Sequence, residues 1–152
     1  APSRPASSGR VLVISDGSHA ARAAVELAVL AAEATRAELT VLHVLDAGTI
    51  AEEDLPEGPL GQSFRAMLAT TLMDTAAPRL RTAQVKVNTL VEQADPIAPP
   101  ALREAASGDY DLVVLGAEHR AALNRLSVGY EIERVVQAAP CAVAVVVPRI
   151  TA

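Results

Sequence analysis

Three short runs of this chain are apolar at every position: Val11-Leu-Val-Ile14, Leu112-Val-Val-Leu115 and Ala142-Val-Ala-Val-Val-Val147. A fourth, Leu39-Thr-Val-Leu-His-Val-Leu45, is broken only by Thr40 and His43. A strand with one face in water alternates apolar and polar residues; strands with no wet face belong in a parallel sheet covered on both sides. Helical stretches lie between the runs, as parallel strands require. From His19 to about Arg36, Ala24, Leu27, Ala28, Ala31 and Ala32 recur at helical spacing behind Ser18, a natural N-cap. A second helix is expected from about Gln62 to Leu80, with Pro78 at its fraying end. Pro99-Pro100 opens a third that runs to about Ser107, and Gly129 to Ala139 reads as the last. Val85 to Val91 alternates more clearly, as an edge strand with one wetter face does. The expectation is an α/β fold with a parallel sheet and helices on both faces.

Composition narrows this further. The chain has 152 residues, enough for one domain. Two Tyr, one Phe and no Trp leave the core to Ala, Val and Leu, which suits helices lying close on a sheet. A net charge of −5 argues against nucleic acid as a partner, because that needs a basic face. No apolar run approaches the roughly 18 residues of a membrane span. The single cysteine, Cys141, sits beside an apolar run and reads as a buried, inert thiol in a reducing compartment. Residues 1–9, Ala1-Pro-Ser-Arg-Pro-Ala-Ser-Ser-Gly9, are Pro/Ser-rich and read as a linker, leaving residues 10–149 as the domain. A processed start and excision from a longer chain are both open explanations.

In open parallel sheets a ligand sits beyond the carboxyl ends of the strands, where the strand order reverses. The first and fourth strands end on Asp16-Gly17 and Gly116. Beyond Gly116 a polar loop carries His119, Arg120, Asn124 and Arg125 before Gly129 opens the last helix. Strand, glycine turn, basic loop, glycine and helix is an order of parts that builds an anion site, since helix-start N–H groups and the macrodipole favour negative charge.

These residues also carry a family resemblance. Val11-Leu-Val-Ile-Ser-Asp-Gly-Ser18, Leu42-His-Val-Leu-Asp46, Ala94-Asp-Pro96, Asp111-Leu-Val-Val-Leu-Gly116 and Ala139-Pro-Cys-Ala-Val-Ala-Val-Val146, taken in order, resemble the universal stress proteins. The resemblance spans Val11 to Val147. It implies an open, Rossmann-like five-stranded sheet in the order 3-2-1-4-5 and a homodimer formed through the last strand, Ala142 to Val147. It also implies a site for ATP or another adenine nucleotide at the switch point. Asp16 of the first turn and Val44 of the second strand would contact the adenosine, with Ser15 and Gly17 beside Asp16 as further nucleotide-binding candidates. A metal is expected only as nucleotide-bound Mg. The segments Gly116-Ala-Glu-His-Arg120 and Asn124-Arg-Leu-Ser-Val-Gly129 further resemble the stress-protein domains attached to cation–proton antiporters.

The phosphate motif of nucleotide-binding members is a glycine, two residues, a glycine, nine residues, then glycine with Ser or Thr. Gly116 and Gly129 keep the first and third places, but His119 and Tyr130 stand where the second glycine and the hydroxyl would be. The His119 ring occupies space that phosphate oxygens would share with bare backbone. Arg120 and Arg125 are the candidate replacements, since a guanidinium grips phosphate with two parallel bonds.

The other polar residues point to no chemistry. His43 reads as a satisfied core histidine and His19 as a surface residue, and Glu52, Glu53, Asp54 and Glu57 as a solvated loop. The histidines and the cysteine offer no metal-ligand spacing, and no nucleophile has a recognisable base. The expectation is a non-catalytic, cytoplasmic regulatory module that senses an adenine nucleotide, carried by a membrane transporter in the same chain. A ligand-free dimerisation module and a stand-alone stress-response protein are the alternatives.

Overall fold

A computed structural model describes residues 9–16, 18–45, 79–93, 96–117, 120–122, 125–127 and 130–148. The elements are β1 (Arg10–Ser15), α1 (His19–Thr35), β2 (Glu38–Leu45), a short α2 (Arg79–Thr82), β3 (Val87–Gln93) and α3 (Ala98–Ser107). They continue with β4 (Leu112–Gly116), β5 (Arg120–Ala122), β6 (Arg125–Ser127), α4 (Tyr130–Ala138) and β7 (Ala142–Val146). Five strands form one parallel sheet in the order β3-β2-β1-β4-β7. With the small β5–β6 hairpin set aside, this is the 3-2-1-4-5 order.

Alternation along the central strands feeds two cores. Val11, Val13, Leu39, Val41 and Val114 meet α1, with Leu80 of α2 packed against them. On the other face Leu12, Ile14, Leu42, Val113 and Leu115 meet Ala98, Ala101 and Ala105 of α3 and Val135 of α4. Helices therefore cover both faces, as the unbroken apolar runs require. The start expected at Val85 for the third strand moves to Val87, and the strand does lie at a sheet edge. Residues 62–78 of the expected second helix lie outside the described residues; Arg79–Thr82 is helical, two residues past the end expected near Leu80.

α1 starts where Ser18 predicts. The Ser18 backbone is extended (φ −72°, ψ 167°), and its hydroxyl accepts the Ala21 N–H at 3.1 Å. Its inward face is Ala20, Ala21, Ala24, Val25, Ala28, Val29 and Ala32. Leu27, expected on that face, is 42% exposed. The reason is spacing: α1 lies so close to the sheet that alanine and valine fill the gap, and the longer leucine is turned outward. Gly116 on β4 measures that closeness. A Cβ there would lie 2.2 Å from the Ala20 carbonyl oxygen and 2.7 Å from the Ala21 nitrogen.

The amino end of the sheet is closed by a polar clasp. The Arg10 guanidinium stacks 4.6 Å from the centre of the Tyr110 ring and donates to the Gly108 carbonyl. The Tyr110 hydroxyl donates to Glu104 at 2.7 Å, and the Arg10 N–H donates to the Asp111 carboxylate at 2.9 Å.

A candidate nucleotide site at the carboxyl ends of the strands

β1 is the pivot of the site because the strand order reverses beside it. It pairs with β2 on one side and, after β3 and α3, with β4 on the other. The register sets Ser15 beside His43 and Ile14 beside Leu115. Asp16, the residue after β1, is thus level with Val44, the penultimate residue of β2, while Gly116 ends β4 level with Ser15, one residue earlier; the crevice of the reversed strand order lies between β1 and β4.

Asp16 is exposed, and its carboxylate accepts the Ser18 N–H at 2.9 Å, closing the turn into α1. Ser15 is buried, and so is the Val44 side chain. Gly116 ends β4, and the next residue, Ala117, donates its N–H to the Val146 carbonyl at 2.9 Å. Three candidates, Gly17, His119 and Gly129, lie outside the described residues. Arg120 and Arg125, expected in a loop, stand instead on the antiparallel hairpin, where Arg120 pairs with Ser127 and Ala122 with Arg125. Tyr130 is the first residue of α4.

His43 is the residue that sequence reasoning read incompletely. It is buried as expected, 1% exposed, but it is not satisfied: neither ring nitrogen has a hydrogen-bond partner among the described residues. Burial lowers its pKa below the usual histidine value, while the Asp16 carboxylate works the other way. Cys141 is half-buried, and burial, with Asp111 adding to it, raises its thiol pKa. Among the described residues no group of His, Cys, Asp and Glu is placed to hold a metal ion, and no helix is long and apolar enough to cross a membrane.

The universal stress protein family matches this chain over residues 8–147. The chain belongs to the universal stress protein family. A family relative from Staphylococcus haemolyticus is 29% identical over 136 residues, 90% of this chain and 82% of its own. The solved universal stress protein UspA from Lactobacillus plantarum is 27% identical, with a TM-score of 0.59 over 91% of this chain and 97% of that one. A universal stress protein solved in complex with cAMP shares the fold at a TM-score of 0.65 and 18% identity, covering 91% of this chain and 95% of its own. The arrangement of Asp16, Val44 and Gly116 is thus found in a universal stress protein fold.

Proposed function

We propose that this chain is a non-catalytic regulatory module of stress response that takes an adenine nucleotide at the carboxyl ends of β1, β2 and β4. One observation carries the reading: Asp16, Val44 and Gly116, far apart in sequence, come within one residue of the same level at the carboxyl ends of β1, β2 and β4, around the reversal of strand order. Relatives of the same fold have been solved with cAMP, AMP and dAMP bound, which supports an adenine ligand here. On the nucleoside side stand an exposed carboxylate at Asp16 and, on the neighbouring strand, a buried His43 whose ring nitrogens have no hydrogen-bond partner among the described residues. On the phosphate side, arginine serves where glycine serves elsewhere: Arg120 and Arg125, both on the β5–β6 hairpin that follows β4, supply the positive charge. Mg enters only with the phosphates.

A ligand-free association module is the second reading, and Gly116 favours it. The close approach of α1 already demands glycine at that place, so its retention needs no phosphate. Both readings include a homodimer through the edge strand β7, within Ala142 to Val147. A stand-alone stress-response protein and a domain attached to a cation–proton antiporter are both forms this module could take; the staphylococcal relative, matched over 82% of its own length, is an example of the first. The cytoplasm is the proposed location, and nucleic acid is not a proposed partner, given the net charge of −5.

Isothermal titration with ATP, ADP, AMP, cAMP and cyclic dinucleotides tests the reading. Binding is expected, and Arg120→Ala and Arg125→Ala should each weaken it by about 1.5–3 kcal/mol, the worth of a hydrogen bond to a charged group. Silence across the whole panel would leave the association reading standing.

A further inference from the structure

A buried polar group without a partner in a native protein asks for an explanation. Among the described residues His43 is such a group, and it stands one residue from Val44 and in register with Ser15, the residue before Asp16. We infer that His43 and Asp16 form a proton-operated latch, in which protonating the buried imidazole draws the Asp16 carboxylate off the Ser18 amide and closes the nucleoside side of the site. The regulatory half of this inference rests on the nucleotide reading above; the latch itself does not.

Among the described residues, the neighbours of the ring leave one charge to answer it. From β1 the register partner is Ser15, with Asp16 next along the chain. From β3 it is Val91; the adjacent Glu92 pairs with Val44 and is held by Arg103 of α3. α1 turns alanine and valine inward, and its His19, Arg22 and Glu26 are exposed. Among the described residues, Asp16 is the charged group whose field reaches His43. An imidazolium carries two N–H donors and no acceptor, so a charged His43 needs an oxygen. The Asp16 carboxylate is the anionic acceptor at hand, and its Oδ1 already holds the Ser18 N–H at 2.9 Å. Drawing it toward the ring loosens the turn that starts α1. It also removes from the crevice a carboxylate that would receive ribose hydroxyls.

The experiment is a pH titration of the full chain by NMR, following the His43 ring protons and the Ser18 amide. His19→Gln and His119→Gln are introduced first, because an imidazole at the first position of α1 would itself move that amide. The expected result is one shared midpoint for the His43 ring and the Ser18 amide. In Asp16→Asn, which keeps an oxygen for Ser18 but removes the charge, the His43 midpoint should fall. A ring midpoint unchanged by Asp16→Asn, or an amide indifferent to the His43 transition, overturns the latch. Cyclic AMP supplies the binding arm, since a phosphodiester lacks the second ionisation of a phosphate monoester. Its dissociation constant should rise about tenfold per pH unit below the His43 midpoint if only the neutral form binds. A constant affinity through that range overturns the regulatory half. No cAMP binding at any pH counts against the nucleotide reading, while the ring and amide signals still decide the latch.

Discussion

At Gly116 one hydrogen atom in place of a methyl group decides whether α1 can lie where it does. The obstacle to a side chain is the backbone of Ala20 and Ala21, which cannot swing aside as a flexible side chain can. Gly116→Ala should therefore cost about 1–3 kcal/mol, the range for overpacking a close contact, as a lowered urea midpoint without any ligand. An unchanged midpoint would mean that the helix shifts freely and that the glycine is kept for another purpose. His43 makes a second prediction. Its folded pKa lies below the unfolded value of 6.5, so the unfolded chain binds the extra proton first. Stability should be full above that value and should fall as the pH drops from 6.5 toward the folded pKa. In His43→Gln that loss should be absent from thermal melts taken between pH 7 and 4. The buried character of His43 was legible in its apolar neighbours; its lack of partners was not, because hydrogen bonding in a core is decided by elements far apart in sequence.

Elements differ in how openly the sequence displays them. α1 is marked at both ends, by Ser18 before it and by Arg36 in the left-handed region after it, where its N–H reaches the Ala32 and Glu33 carbonyls. Its inward face was harder to place, because Leu27 and Leu30 share the helical period with the alanines, and period alone does not say which stripe faces in. The hairpin left no sequence signal, since strands of three residues are too short for alternation to register. That matters for the candidate site, because Arg120 and Arg125 sit on it. Changing His119→Gly together with Tyr130→Ser restores the family's phosphate motif. If the nucleoside side is intact, ATP at a hundred times its dissociation constant should then add about 2.7 kcal/mol of stability, read as a higher melting temperature. The edge strand β7 carries its own test. Val145→Pro removes an N–H in mid-strand and should turn a sedimenting dimer into monomer, whereas a wild-type chain that is already monomeric at micromolar concentration sinks the pairing.

For the molecule as a whole, the order of strands has a consequence in time. β1 lies at the centre of the sheet, yet its two neighbours are made far apart: β2 follows after α1, while β4 begins at Leu112, the register partner of Val11. At about 5–20 residues per second of synthesis, the flank of β1 that will receive β4 waits on the order of 5–20 s for its partner. During that interval a strand with no polar face, Val11 to Ile14, is open along one edge. Nascent chains halted shortly after β2 has emerged should accordingly be captured by chaperones or aggregate, and chains extended past β7 should be released and resist protease. The position that gives β1 its place beside the crevice in the finished protein makes it the most exposed strand while the protein is being made.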